Sequence, residues 1–502
     1  MIKTPNKKTY FSYFKLSLIL IIVFSFTSVI TAEDMKKSHE KKIKPYIVKI
    51  YATYQSYNSF YPWEKKRFNE QSAFGTVLDK NYILTTADTI SDSTYIELKK
   101  NSDETKYPAH IVFVDYSSNI VLLKADDENF YNDLSSLPLG KGIKKSDSIE
   151  LVQIQKNNSI KSIKGTLEKV SVEDSFIGWD KHLSYHLSIK LDQREHWADP
   201  VIKDGFLEGI LTSYDANRFI AKVIPVELIK HFLHDISDGK YDGFPDSGFY
   251  WEPLKNPLFK EYLGMDKKTT GVYVARVVPG SSADGALQKG DILLSLDNKE
   301  INDNGYFIDD THGKLKLSYL FTRNFPDNIL PAVILRNGKK TTVKLTLKNY
   351  TSKDYLIPVY NFDSQPKYLI EGGLVIQEVT TDYLKTWGKN WQDVGNKRLL
   401  YYYNYFARSP LDDRKRLIML SFVLPDDINI GYQNFRYQII TKINGKKITN
   451  LEDAANAIDS SKSEFVHILF QGTKEIILKK SFLETANKRI SERYNIHKLR
   501  NL

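Results

Sequence analysis

Short apolar runs separated by polar turns make up the first half of the chain. They lie at residues 46–54, 74–78, 82–86, 94–100, 110–116, 120–125, 149–154, 162–172, 186–192, 205–214 and 219–225. Many short strands at this spacing predict a β-sandwich or a β-barrel. A helix is predicted only where this region ends, at residues 226–236.

The stretch 73–90 predicts the β-hairpin around which this half of the chain is organised. Residues 74–78 form one strand, residues 79–81 the turn, and residues 82–86 the return strand. Asp88 follows the return strand after one intervening alanine.

The pattern changes after a segment that we interpret as a bridge, FPDSGFYWEPLKNPLFKEYLGM. Residues 271–277 predict a strand, and 279–287 a turn with a short helix. Residues 289–301 predict a strand, a turn and a second strand. A second helix or its lead-in is expected at 315–325, and a hairpin with an Asn-Gly turn at 331–347.

The last third of the chain repeats parts of this pattern. Residues 372–380 predict a strand, and the tyrosine-rich stretch 396–406 is expected to be helical or buried. A helix is predicted at 451–458, a hairpin at 464–478 and a terminal helix at 481–496. We interpret these tyrosines as core residues, and we expect this third of the chain to serve in the assembly of subunits.

The N-terminus predicts export. Basic residues precede an apolar run at 16–26, and TSVITA follows it, which is typical of a secretory signal cleaved after Ala32. The alternative is a membrane anchor, but the run is shorter than the about 20 residues that span a bilayer. Residues 33–44 then form a polar, flexible leader. A bacterial periplasm is the expected location, with secretion or anchoring as alternatives.

Composition narrows the function further. A length of 502 residues predicts three or four domains of about 100–200 residues each. The chain has no cysteine, which excludes disulfides, thiol nucleophiles and cysteine-based metal sites. The net charge is +10, but the basic residues are mixed with acidic residues along the chain, so we expect no nucleic-acid partner. No cofactor is predicted.

These segments resemble the HtrA/Deg family of serine proteases, in particular the long Deg type with two PDZ domains. The resemblance rests on GTVLDKNYILTTADTI, HIVFVDYSSNIVLLKAD, IKLDQREHWADPVIKDGFLEGILTSYD, GVYVARVVPGSSADGALQKGDILLSLDNKEI and LPDDINIGY. It implies a mainly β chain with a trypsin-like double β-barrel and two PDZ-like domains. The implied divisions are a signal peptide at 1–32, a leader at 33–44, a protease-like domain at 45–238, a first PDZ domain at 245–348, and a degenerate second PDZ domain with a C-terminal helix at 355–502.

The resemblance also implies a degenerate catalytic site. Asp88, Asn119 and Trp197 stand where the family has its catalytic histidine, aspartate and serine. Acyl transfer needs a nucleophile, a base and an acid that orients the base. A carboxylate is a poor proton shuttle at neutral pH, an amide carries no charge, and an indole has no nucleophilic atom. The glycines of the family's oxyanion turn are Ala198 and Asp199 here.

The first PDZ-like domain implies peptide binding. Such domains bind an extended peptide as an added strand, and backbone N–H groups of a loop hold its terminal carboxylate. The matching loop is Tyr262, Leu263, Gly264 and Met265, in which glycine permits the backbone geometry. The alternative is that this loop only packs the domain. The family resemblance also implies a homo-oligomer, a trimer or larger.

Other candidate residues are weaker. No G-x-S-x-G motif occurs, and Ser247 precedes a glycine in a segment that no apolar strand leads into. His196 has no serine or cysteine partner in sequence. His231 and His234 share a helix face, but no third ligand is evident, so no metal site is predicted.

The sequence therefore favours an exported pseudo-protease of HtrA/Deg type that binds peptides or unfolded proteins, in quality control or as a scaffold. One alternative is an active serine endopeptidase of envelope protein quality control. The other is a structural or host-interacting secreted protein on a retained protease scaffold.

Overall fold

The computed structural model describes residues 43–101, 103–145, 147–155, 159–175, 180–191, 198–266, 268–408 and 412–502. The predicted signal peptide and nearly all of the predicted leader lie outside these residues. Among the helices described, none combines the length and apolar character that a bilayer crossing requires.

The first six strands close into a β-barrel in the order β1-β2-β3-β6-β5-β4. The predicted hairpin is present, and Thr76 pairs with Leu84 across it. A one-turn helix, α1 (Ala87–Ile90), follows its return strand. The strands are β1 (Ile47–Tyr54), β2 (Asn69–Leu78), β3 (Tyr82–Thr86), β4 (Ser93–Lys100), β5 (Lys106–Asp115) and β6 (Ile120–Ala125).

Six further strands close a second barrel in the order β10-β11-β12-β9-β8-β7. Helix α2 (Val226–Asp235) follows it, and its buried Phe232 packs with Leu84 of the first barrel and Ile210 of the second in one core. The strands are β7 (Ser148–Ile154), β8 (Ile160–Asp174), β9 (Lys181–Ser188), β10 (Pro200–Lys203), β11 (Phe206–Asp215) and β12 (Ile220–Pro225). The double β-barrel that the resemblance implies is thus confirmed.

An open antiparallel sheet follows, in the order β13-β14-β15-β19-β20, with β16 paired to β15. Its core contains Phe249, Leu293 and Phe321. The elements are β13 (Phe249–Pro253), α3 (Pro257–Tyr262), β14 (Val272–Val277), β15 (Ile292–Leu296), β16 (Lys299–Glu300), the hairpin β17 (Tyr306–Asp309) and β18 (Gly313–Lys316), α4 (Tyr319–Thr322), β19 (Ile329–Arg336) and β20 (Lys339–Thr346).

The C-terminal sheet has the order β27-β26-β24-β23-β22-β21-β28, with β25 paired to β24. Asn396 caps the tyrosine-rich helix, α7, by accepting from the backbone N–H groups of Arg398 and Leu399. The elements are β21 (Tyr368–Glu371), β22 (Leu374–Glu378), α5 (Thr381–Leu384), α6 (Trp391–Val394), α7 (Lys397–Phe406), β23 (Ile418–Val423), β24 (Gln438–Ile443), β25 (Lys446–Lys447), α8 (Leu451–Asp459), β26 (Phe465–Phe470), β27 (Glu475–Lys479), α9 (Leu483–Arg493) and β28 (Arg500–Asn501).

Two expectations are wrong in detail. The short helix expected at 279–287 is a series of turns, because Gly280 and Gly285 each have a φ of 79°, which a right-handed helix cannot contain. The segment interpreted as a bridge contains regular elements, β13 and α3, and β13 begins after Ser247 rather than leading into it. That strand is short and ends at a proline, and its sequence shows no clear alternation.

The two barrels, the segment before β13 and the segment after α7 meet at a buried polar junction. Ser117 Oγ donates to Asp180 Oδ2 at 2.8 Å, and Arg408 Nη2 donates to Asp246 Oδ2 at 2.6 Å. Burial raises the pKa of Asp180 to about 6, and the negative charge of Asp246 adds to the rise. Arg408 opposes it.

The Asp180→Asn variant should be more stable than the parent protein above pH 6. Because the folded-state pKa of Asp180 lies above its unfolded value of 3.8, folding stability falls as the pH rises from there to about 6. Asparagine cannot ionise but keeps an oxygen that accepts from Ser117. Water in the adjoining cavity screens the charge of Asp180 and reduces the effect. We therefore expect the free energy of unfolding to rise by about 1–2 kcal/mol at pH 7.5 and not to change at pH 4.

Hydrogen exchange of β9 amides at the two pH values measures this difference locally, since a chain with several cores need not unfold in one step. Asp204→Asn is the matched control, because Asp204 is exposed in the β10–β11 turn. An equal effect of Asp180→Asn at both pH values would contradict the raised pKa of Asp180.

Candidate functional site

The first barrel brings Asp88 and Asn119 together. The backbone N–H of Asp88, in α1, donates to Asn119 Oδ1 at 2.8 Å. The N–H of Ala87 donates to the carbonyl of Asn119 at 3.2 Å. Asn119 lies in the turn between β5 and β6 with a left-handed φ of 61° and is 8% exposed. Two of the predicted triad positions are therefore neighbours, joined by a backbone-to-amide hydrogen bond.

The chemistry of this pair is limited. Asp88 Oδ1 is buried and has no hydrogen-bond partner among the described residues. Asn119 uses its amide oxygen on the backbone of Asp88 rather than on a side chain that could carry a proton. Neither side chain is a nucleophile suited to acyl transfer. Trp197 and His196 lie outside the described residues.

The predicted oxyanion turn is engaged elsewhere. Ala198 has a left-handed φ of 64° and is fully buried, and its N–H donates to the carbonyl of Leu211 at 3.1 Å. Asp199 is also fully buried and accepts from Gln153 Nε2 at 2.9 Å. An oxyanion hole needs N–H groups that point at the reacting oxygen, and in serine proteases these belong to the nucleophile and to the residue two positions before it. The matching positions, 197 and 195, lie outside the described residues, so the bonds of Ala198 and Asp199 describe only the turn that follows.

A hydroxyl–imidazole pair occurs at the junction, which the sequence did not reveal. Ser117 Oγ lies 2.8 Å from His182 Nε2 as well as from Asp180. His182 Nδ1 is buried without a partner among the residues described, so no acid orients the ring. Burial lowers the pKa of His182 to about 4. This imidazole therefore stays neutral at physiological pH, and the pair is structural.

The loop predicted to bind a peptide, residues 262–265, lies on the face of the open sheet that is turned away from the sheet's core. Tyr262 is 84% exposed, whereas Met265 is buried against Leu254 and Ile292. The loop's N–H groups already donate to α3 carbonyls, from Leu263 to Phe259, from Gly264 to Glu261 and from Met265 to Lys260. The geometry therefore points away from a carboxylate-binding role for this loop, because its donors are used within the chain.

A cavity of about 1320 Å³ lies beside β13 instead. In the open sheet β13 is an edge strand, paired only with β14 among the described strands. Its outer edge therefore offers backbone donors and acceptors to an incoming chain. The cavity is lined by Phe249 and Tyr250 of β13, Ser318 and Phe321 around α4, and Tyr350 and Arg408.

The turn into β13 requires glycine. Gly248 has a left-handed φ of 71°, and a Cβ there would lie 2.0 Å from Ser281 Oγ. Its N–H donates to Asp246 Oδ1, and the other oxygen of that carboxylate accepts from Arg408. A left-handed turn with inward N–H groups is a carboxylate-binding geometry. In this chain a carboxylate already occupies it.

The two helix histidines are held by aromatic packing. The ring of His231 stacks on Phe244 and on Phe325, with ring centroids 4.5 and 4.0 Å away, and its Nε2 lies 2.9 Å from the carbonyl oxygen of Asn324. His234 contacts Phe325 as well. No group of three potential metal ligands occurs in the part of the chain that the structure describes.

Two family models match the chain, and both are described as PDZ domain. They match residues 260–305, which contain β14, β15 and β16 of the open sheet, and residues 357–501, which contain the strands of the C-terminal sheet. The solved "HtrA-type protease AlgW with decapeptide" is 18% identical, covers 62% of this chain and 98% of its own, and has a TM-score of 0.48.

The chain is also similar to known proteases along most of its length. "Protease Do-like 2, chloroplastic" from Arabidopsis thaliana is 25% identical over 92% of this chain and 76% of its own length. "Protease Do-like 4, mitochondrial" from the same plant is 23% identical over 90% and 83%. "Serine protease DegP homolog" from Plasmodium falciparum is 24% identical over 84% and 59%. With two β-barrels followed by two PDZ-domain matches, the chain is similar along most of its length to HtrA/Deg proteases with PDZ domains.

Proposed function

We propose that this chain binds C-terminal or unfolded peptide segments in the groove beside β13 and does not cleave them. The observation that carries the proposal is the outer edge of β13, which has no strand partner among the described residues and borders the 1320 Å³ cavity. A peptide adds to such an edge through main-chain hydrogen bonds, and pockets beside it select side chains.

The absence of cleavage is proposed from the residues at the family's catalytic positions. Asp88 and Asn119 keep the hydrogen-bonded arrangement of the barrel without a base, and Trp197 stands at the position of the nucleophile. These features support a pseudo-protease over an active endopeptidase, because no role in acyl transfer has a suitable side chain there.

The setting of this function is proposed from the sequence. We infer export through a signal peptide at residues 1–32, with a periplasmic location, and a role in protein quality control or as a scaffold. Homo-oligomerisation, as a trimer or larger, is proposed from the family. Of the relatives named above, one is described as chloroplastic and one as mitochondrial.

The purified protein should leave unfolded casein intact. It should also remain unlabelled by a fluorophosphonate probe, because an indole at position 197 offers no hydroxyl for the probe to modify. Gel electrophoresis and probe fluorescence measure the two outcomes, with trypsin as the positive control. Cleavage that the probe abolishes would overturn the pseudo-protease proposal and establish an active serine endopeptidase.

Filling the groove should abolish peptide binding. Thr322 of α4 lines the cavity and is partly exposed, so Thr322→Trp should obstruct the groove without disturbing the core. Loss of two or more main-chain hydrogen bonds corresponds to binding at least about tenfold weaker. Fluorescence anisotropy of a labelled octapeptide with a C-terminal valine measures the affinity.

Tyr262→Ala is the matched control, since Tyr262 is highly exposed on the face of the open sheet that is turned away from the sheet's core. It should bind like the parent protein. Loss of binding in Tyr262→Ala but not in Thr322→Trp would return the site to the loop 262–265. Absence of binding in the parent protein would favour a structural or host-interacting role.

A further inference from the structure

We propose that Arg408 of the C-terminal region pairs with the terminal carboxylate of the peptide, and that Asp246 holds this place while the site is empty. This inference rests on the proposed function and names the ligand chemistry of the same groove. The site is then composite, because β13 supplies the strand edge and the segment after α7 supplies the cation.

The first observation is the arrangement of the Asp246 carboxylate. One oxygen accepts from the N–H of Gly248 and the other from Arg408 Nη2, at 2.6 Å for the latter. The side chains of Asp246 and Arg408 are 9% and 8% exposed. A carboxylate at the turn that leads into an edge strand, held by a backbone N–H and a cation, imitates the terminus of a peptide bound to that edge.

The second observation is unused donor capacity on the arginine. Arg408 Nε is buried and has no hydrogen-bond partner among the described residues. A guanidinium can form two parallel hydrogen bonds with one carboxylate, whereas Asp246 engages only one of its terminal nitrogens. The guanidinium lies beside the rings of Tyr250, at 5.9 Å, and Tyr355, at 5.3 Å, and it lines the cavity.

Electrostatics favours exchange over simple addition. Asp180 and Asp246 already repel each other across the junction, and Asp115 acts on Asp180 in the same direction. Arg408 is the cation that opposes them. A third carboxylate beside Asp246 would meet this negative charge in a buried site. The terminal carboxylate of the peptide therefore replaces the carboxylate of Asp246 as the partner of Arg408.

The test compares two octapeptides of identical sequence ending in valine, one with a free C-terminal carboxylate and one amidated. Anisotropy titrations use the full chain and the variants Asp246→Asn and Asp246→Asn/Arg408→Met. The double variant removes both members of the buried ion pair together, so Asp246 is not left as an unpaired buried charge, as it would be in Arg408→Met alone. Circular dichroism checks each fold.

We expect the parent protein to bind the free acid about tenfold or more tightly than the amide, as for one charge-assisted hydrogen bond. Asp246→Asn should tighten the free acid several-fold and leave the amide unchanged, because the resident carboxylate is gone. The double variant should lose most of the preference for the acid.

Arg276→Met is the matched control. The Arg276 guanidinium also lies over the Tyr250 ring, at 4.4 Å, but it donates to the carbonyl of Tyr405 and does not line the cavity. This variant should keep the parent's acid-to-amide ratio. The same ratio in the double variant would overturn the role of Arg408 while leaving peptide binding intact. Failure of both peptides to bind any variant would instead reject the proposed function itself.

Discussion

The availability of strand edges constrains where this chain can bind a peptide. The first barrel closes where β1 pairs with β4, and the second where β7 pairs with β10. Neither barrel therefore has an unpaired strand edge. In the described parts of the two larger open sheets, two of the other edges are blunted. β20 carries Lys339, Lys340 and Lys344, which discourage pairing. At β27, the Tyr432 hydroxyl bonds the N–H and the carbonyl of Ile477. The edge strand β13, in contrast, lies beside a cavity lined by aromatic rings.

Much of this architecture could be predicted from the sequence, because long alternating runs and strong turns leave little choice. The hairpin 74–86 and the strand 120–125 have the predicted bounds to within a few residues. The second barrel's β10 and the hairpin β17–β18 were not predicted, because four-residue strands are too short to show a period.

The peptide groove could not be located from sequence for a specific reason. Gly248 and Gly264 adopt nearly the same backbone conformation, with φ of 71° and 70°. Each is followed by an apolar residue and stands near a short element. Only the structure shows that Gly248 leads into an edge strand and packs on Ser281, whereas Gly264 ends a helix and faces open space. Backbone conformation alone does not specify what a turn adjoins.

The barrels also show that scaffold geometry and chemistry are separable. Asn119 and Ala198 both have left-handed backbone conformations that cost a non-glycine residue about 1–2 kcal/mol, less for asparagine than for alanine. Such strain persists when surrounding packing determines it. The buried strands β6, after Asn119, and β10, after Ala198, supply that packing, so the turns hold their shape although their side chains could not perform acyl transfer.

The cavity beside β13 has walls from both barrels, the open sheet and the C-terminal region. A ligand that contacts all of these walls binds best when they are packed as they are here. By thermodynamic reciprocity, the factor by which this packing raises the affinity for the ligand is also the factor by which the bound ligand stabilises the packing. Occupancy of one groove would then stabilise the relative orientation of the barrels, the open sheet and the C-terminal region.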